Sequence, residues 1–398
     1  MVLGHNPKPK SNMKTKLFSP AGRFAQIAAN IGVASVIAMF SIGANAQGVT
    51  NDTVLIGQSA ALTGPAAALG NEMKLGAEAY FKVVNDAGGI NGRKIKLISL
   101  DDGYEPDRAK ANTQKLITEE KVLALFGYVG TPTSNAALPL FTEAKVPFIG
   151  AFTGAQSLRE PFNRYIFNIR ASYFDETEHI VENLASQGIK NIAVFYQNDA
   201  YGKAGLAGME RAMKKRNLPI TALATVERNT ADVSDAVKKM VKADPTAIVM
   251  ISAYKSSAAF IFETQRAGKF PLFWNVSFVG SKALAYELGE SSRGVQVSQV
   301  VPFPWSTDSK IVSEYQKSMG SEANYSFTSL EGYIAAKILV VGLRKAGKNL
   351  SRETLVDALA NSSVIDLGGF KVEFSPTNHN GSSFVDLTII SKDKKFKR

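Results

Sequence analysis

The pattern that most restricts the fold is an alternation, repeated from Gly48 onward, of short apolar runs rich in β-branched residues with single amphipathic segments. The runs are VLIGQSA at 54–60, KIKLISLDD at 94–102, VLALFGYV at 122–129, VPFIGAF at 146–152, YIFNIRA at 165–171, IAVFYQND at 192–199, ITALATVE at 220–227, AIVMISAY at 247–254, LFWNVSF at 272–278 and VQVSQVVP at 295–302. Between them, over 71–87, 107–120, 175–187, 203–216, 232–243 and 256–267, apolar residues recur at three- and four-residue spacing, the signature of a helix with one buried face. Strands that are apolar almost throughout, each followed by one helix, predict parallel sheets covered on both faces. Ten such strands are more than one open sheet usually holds, so the pattern predicts two α/β lobes. Helical patterns at 308–319, 328–347 and 351–361 then follow one another, and two late strands, FKVEFS at 370–375 and VDLTIIS at 385–391, predict a return to sheets begun earlier.

The first 46 residues stand apart from this rhythm. Lys14, Lys16 and Arg23 precede an apolar, small-residue run at 31–44, and Ala44-Asn45-Ala46 fits the small-x-small pattern cut by signal peptidase. The reading is a cleaved export signal over 1–46, with Gln47 as the mature start and Met13 an alternative initiator to Met1. The apolar run is shorter than the roughly 20 residues a spanning helix needs. Cleavage removes five of the 46 Lys and Arg and none of the 35 acids, lowering the net charge from +11 to +6. Part of that excess is the tail KDKKFKR at 392–398; the other basic residues are scattered among acids along helices, which does not make a nucleic-acid stripe. Cysteine is absent, which excludes disulfides, thiolate metal sites, a cysteine nucleophile and a lipid-modified N-terminal cysteine.

Catalytic signatures fail one after another. Gly342-Leu-Arg-Lys-Ala-Gly347-Lys348 resembles a phosphate loop, but Asn349 stands where the Mg²⁺-binding hydroxyl belongs, and the run ends a helix instead of opening one. Gly347 is expected to terminate that helix, with Arg344 and Lys345 at its negative end. The first strand leads to Leu62-Thr63-Gly64-Pro65 and Gly70, not to a dinucleotide-binding glycine triad. His179 and His379 lack metal-ligand spacing and are expected at the surface; Gly-x-Ser-x-Gly is missing. No cofactor, metal or catalytic residue is expected.

What remains is a set of polar and aromatic residues at the carboxyl ends of strands, where open α/β sheets hold ligands. Tyr128-Val-Gly-Thr131-Pro-Thr-Ser134 follows one strand and opens a helix, and hydroxyls with free amides at a helix N-terminus favour a ligand carboxylate. Phe152-Thr153-Gly154-Ala155 follows the next strand. Asn198 to Gly202, containing Tyr201, and Ser252-Ala253-Tyr254 hold the equivalent places in the second half. Each taken singly also reads as turn and capping chemistry.

In order along the chain, Thr63-Gly64-Pro65 with Gly70, Asn85-Asp86-Ala87-Gly88-Gly89-Ile90-Asn91-Gly92, Asp101-Asp102, Asp199-x-Tyr201-Gly202 with Gly205, Gly294-Val295 and Glu331-Gly332-Tyr333 resemble the type I periplasmic binding proteins of the leucine/isoleucine/valine-binding branch. The resemblance runs from about Thr53 to Ile390. It implies two Rossmann-like lobes, 47–170 plus 302–374 and 171–301 plus 375–398, joined by three hinge crossings near Arg170, Val301 and Ser375. It also implies that Thr131 and Phe152 to Gly154 hold a ligand carboxylate, with Leu69 where relatives place a contacting aromatic and Tyr201 and Tyr254 as covers. Leucine-type relatives pair the ligand ammonium with a glutamate whose matching position is about Ser277, with no acid nearby in sequence; Glu331, Asp199 or Asp175 would have to substitute. The implied function is capture of an amino acid or related carboxylate for an ABC importer, by a monomer whose partners are permease and ATPase subunits. The alternatives are a sensory subunit of a membrane receptor or kinase and, disfavoured by the missing signatures, an exported enzyme; a transcription regulator of this fold would carry a helix-turn-helix where the signal stands.

Overall fold

The computed structural model describes residues 47–398, and the export signal and cleavage site expected from the sequence fall outside the described residues. The first half of the described chain alternates strand and helix: β1 (Thr53–Ala60), α1 (Ala67–Asp86), β2 (Lys94–Asp101), α2 (Pro106–Thr118), β3 (Ala124–Phe126), α3 (Thr131–Glu143), β4 (Phe148–Ile149) and β5 (Ile166–Phe167). These strands form one parallel sheet in the order β2-β1-β3-β4-β5. The chain then crosses and repeats the alternation with α4 (Tyr173–Ser186), β6 (Ile192–Gln197), α5 (Ala200–Lys215), β7 (Ile220–Val226), α6 (Ser234–Ala243), β8 (Ala247–Ile251), α7 (Tyr254–Arg266), β9 (Leu272–Asn275), α8 (Ser281–Leu288) and β10 (Gln296–Gln299).

A second crossing leads to α9 (Lys310–Met319), α10 (Phe327–Ala346), α11 (Arg352–Ala360) and a hairpin of β11 (Ser363–Asp366) with β12 (Lys371–Phe374). After a third crossing, β13 (Asp386–Ile390) and β14 (Phe396–Lys397) close the second sheet, whose order is β14-β13-β10-β9-β8-β6-β7. The five strands from β10 to β7 are parallel, while β13 and β14 are antiparallel additions at one edge. The late strand at 385–391 therefore completes a sheet begun earlier, whereas 370–375 pairs locally in the hairpin. The sequence reading missed α8, β11 and β14.

Burial follows the expected logic. β3 and β8 are buried at every position, as strands covered on both faces must be. Helix α10, returning late in the chain, lies along α1, and glycines set how close the two come. A Cβ on Gly76 would stand 1.8 Å from the Ser329 carbonyl oxygen, and one on Gly332 would stand 2.1 Å from that of Met73. Two backbones in contact leave no room for any larger residue. Gly347 ends α10 with φ +75° and Arg344 and Lys345 lie in its last turn, so the phosphate-loop lookalike is a helix terminus.

His379 corrects one expectation. It is 3% exposed, not superficial, stacked on Phe167 at 4.0 Å with its Nδ1 bonded to the Ile166 carbonyl at 3.0 Å. Burial, opposed by that bond, pushes its pKa down to about 4. The polar residue type hid an aromatic plate at the third crossing.

Candidate ligand-binding cleft

The carboxyl ends of β1, β3 and β4 in the first sheet face those of β6, β8 and β9 in the second, and side chains bridge the two. From the first sheet, α3 begins at Thr131 with Pro132 in its first turn, behind Gly130 and with no side chain capping it. Thr131 does not bond back to its own helix. Its Oγ1 lies 2.7 Å from Thr153 Oγ1, which donates in turn to Tyr173 Oη at 3.2 Å. Gly154 receives the Tyr173 amide on its carbonyl at 2.8 Å, fixing the entry to α4. These buried hydroxyls and an uncapped helix start make a region of positive potential suited to a carboxylate.

The second sheet brings aromatic surface. Tyr201, in the first turn of α5, lies 4.4 Å from Phe278 and 5.5 Å from Tyr173, ring centre to ring centre. Phe278 also meets Phe152 at 5.4 Å and Tyr104 at 5.8 Å, so rings from both sheets interlock. Tyr254, first residue of α7, accepts the Ala68 amide on its Oη at 3.4 Å. Leu69 packs beside it: a Cβ on Gly280, itself at φ +80°, would come within 2.3 Å of Leu69 Cδ2. Asp199 caps α5 through the amides of Tyr201 and Gly202, a structural role.

Between these walls, at the first crossing, sits a buried charge cluster. Arg170, 1% exposed, lies over the Phe152 ring at 4.9 Å and faces two carboxylates, Glu176 and Glu331, each at 3.4 Å. Glu176 is saturated: it accepts the Ser277 amide at 2.7 Å, Ser277 Oγ at 3.0 Å and Ser298 Oγ at 2.6 Å. Arg170 also donates to Ser277 Oγ. Among the described residues Glu331 has Arg170 as its one ion-pair partner, and burial pushes its pKa up to about 7 against the pull of that guanidinium. Burial alone disfavours the Arg170 charge, but Glu331 and Glu176 outweigh it and hold the side chain protonated. Among the described residues, Arg170 Nε, Arg170 Nη1 and Tyr201 Oη are buried with no hydrogen-bond partner.

The structure thus brings Leu69, Thr131, Phe152, Thr153, Gly154, Tyr201, Tyr254 and Ser277 to one buried region between the two sheets, the candidate cleft. Tyr128 lies elsewhere. Its ring packs on Phe148 at 5.0 Å in a separate core under α2 and α3, and its hydroxyl meets Thr113 Oγ1 at 3.0 Å. Neighbouring residues of an extended segment point to opposite faces, so Tyr128 turns away while only its backbone, accepting the Phe152 amide, helps shape the cleft. The sequence reading missed Glu176, Tyr173 and Phe278. The acid absent around Ser277 in sequence arrives from α4, about a hundred residues earlier, where a carboxylate in a helix's first turn reads only as dipole chemistry.

Residues 53–395 match the periplasmic binding protein family. The chain belongs to that family. A Leu/Ile/Val-binding protein homolog from Brucella abortus is 25% identical over 346 residues, spanning 80% of this chain and 84% of that protein. The crystal structure of a possible leucine/isoleucine/valine-binding protein from Rhodopirellula baltica superposes with TM-score 0.83 at 36% identity, covering 87% of this chain and 96% of that one. A substrate-binding periplasmic protein from Ralstonia solanacearum gives 0.82 at 31% identity, with 86% and 99% covered. These relatives place the chain in the leucine/isoleucine/valine-binding branch of solute-binding proteins. Among the described residues no helix is long and apolar enough to cross a membrane.

Proposed function

We propose that this periplasmic binding protein captures a small carboxylate-bearing solute, an apolar α-amino acid or a close relative, in the cleft and presents it to the permease and ATPase subunits of an ABC importer. The reading places the protein in the periplasm after removal of residues 1–46, with halves 47–170 plus 302–374 and 171–301 plus 375–398 closing about the three crossings. The observation that carries it is the pairing of an uncapped helix start, with Thr131 and Thr153, against the aromatic covers Tyr201 and Tyr254, around buried polar atoms that lack partners.

Charge supports an ammonium on the ligand. Two carboxylates share one arginine, so the cleft carries an excess negative charge when Glu331 ionises. Glu176 is saturated by its own donors, which leaves Glu331 to receive an ammonium while the α3 start receives the carboxylate. Native mass spectrometry of protein from its own host, followed by a thermal-shift screen of amino acids and organic acids, tests the reading. A true ligand at 100 times its dissociation constant adds about 2.7 kcal/mol; a screen in which no carboxylate raises the melting point sinks it.

The titration of Glu331 gives a second handle. Its folded pKa lies above the usual glutamate value, so its favourable contribution is complete at pH 4 and is lost as pH rises through about 7. The unliganded Glu331→Gln variant should gain on wild type in melting temperature between pH 4.5 and 7.5. Affinity for an amino acid should rise with pH over the same interval in wild type and stay flat in the variant. A wild-type affinity that falls with pH would assign Glu331 to a ligand without an ammonium.

A further inference from the structure

The basic tail at 392–398 has no part in the cleft, and its surroundings form a separate cavity. Lys394, Lys395, Phe396 and Lys397 help line a cavity of about 680 Å³ that shares no residue with the cleft set. Its floor is aromatic: Trp305 stacks on Phe396 at 5.7 Å with an interplanar angle of 16° and meets Phe303 at 5.3 Å. Tyr286 on α8, another lining residue, is 86% exposed, a large ring held in solvent with nothing covering it. Lys282 completes a rim of four lysines, against which the lining holds one acid, Glu322. Among the described residues no carboxylate lies within ion-pair distance of Lys394, Lys395 or Lys397.

The geometry points to a docking site for an acidic segment of a partner protein, a stretch of Asp and Glu flanking one aromatic or long aliphatic side chain. The aromatic floor takes the apolar anchor, as interface hot spots do, and the lysine rim selects and steers the acids. An extended segment suits the place better than a compact small anion, because β14 is the outermost strand of its sheet and borders the cavity. Its unpaired backbone edge can add a strand, while its lysines repel a second copy of itself and welcome an acidic one.

The chain has two tryptophans, of which Trp274 is buried in β9 and Trp305 walls the cavity, so fluorescence reports on the site. The probe is the synthetic peptide acetyl-Asp-Glu-Phe-Glu-Asp-amide titrated into the mature protein. Saturable binding is expected, weakening with salt as exposed charge pairs do. Combined Lys394→Glu, Lys395→Glu and Lys397→Glu should weaken it by about 10–100-fold, at roughly 0.5–1 kcal/mol per rim charge. Tyr286→Ala, at an exposed position that leaves the core intact, should weaken it too, and decides the matter if the triple variant melts early. The proposal is overturned by no saturable signal up to millimolar peptide, by unchanged affinity in the folded variants, by equal binding of a peptide with lysines in place of the acids, or by 3-phenylpropanoate binding as tightly as the peptide, which would make this a small-anion pocket.

Discussion

The two edges of the cleft solve opposite halves of one problem. The first sheet offers hydroxyls and free amides on a rigid helix start, through Thr131 and Thr153, with Leu69, Phe152 and Tyr104 as its apolar share. The second sheet offers rings, Tyr201, Tyr254 and Phe278, with hydroxyls that are secondary to their area. Under the proposed function, reception and retention are separable: the polar edge would orient what lands on it, and the aromatic edge would govern how long it stays. Arg170 belongs to neither edge; it sits at the crossing, where its burial makes it the costliest residue to disturb.

The largest expected effect is therefore at the crossing. Arg170→Met leaves Glu176 and Glu331 without their shared cation and should cost about 3–5 kcal/mol of unfolding free energy in urea melts without ligand. A cost under about 1 kcal/mol would show that the two carboxylates shed their charge easily, and the comparison would lose its third member. Next comes Tyr201→Ala, which should speed ligand dissociation in stopped-flow measurements by more than it slows association, since affinity differences reside mainly in the off-rate. An effect confined to the on-rate would erase the distinction between the edges.

Thr131→Val keeps the volume and removes the donor. It should weaken binding in calorimetric titration by about one to two decades, the worth of a bond to a charged oxygen at roughly 1.5–3 kcal/mol. If the melting point falls while affinity holds, Thr131 serves only the Thr153–Tyr173 chain. The smallest effect is expected at the outer rim, where Arg228 of the second half reaches Glu105 of the first at 2.7 Å and Asn229 meets the same carboxylate at 2.7 Å. The Arg228–Glu105 pair is partly exposed, so Arg228→Ala should change stability by about 0.2–1 kcal/mol. That value should shrink further at high salt, which separates it from the buried cluster.

What the sequence disclosed depended on range. The alternation of β-branched runs and amphipathic segments is local, so β1 to β10 and most helices were legible within a few residues, and the excess of strands over one open sheet foretold two. β14 is two residues long and pairs only at an edge, and α8 is eight residues behind a glycine, both too short for periodicity to register. At the cleft, strand-end position pointed to Thr131, Thr153, Tyr201 and Tyr254, because a carboxyl end is a place the chain's direction dictates. It failed for Tyr128, where facing depends on the exact strand register, and for Glu176, whose partner Ser277 lies 101 residues away.

The close contact of α1 with α10 has a consequence for heredity. The five-stranded sheet is written in the first half of the gene, yet the helix that lies against α1 is written after β10, and Gly76, set against the Ser329 backbone, and Gly332, set against that of Met73, stand 256 residues apart. A single recombination between two paralogous genes anywhere in that interval joins an α1 from one parent to an α10 from the other. Such offspring would need the glycine of α1 from one parent and that of α10 from the other, a demand that substitutions along the cleft do not face.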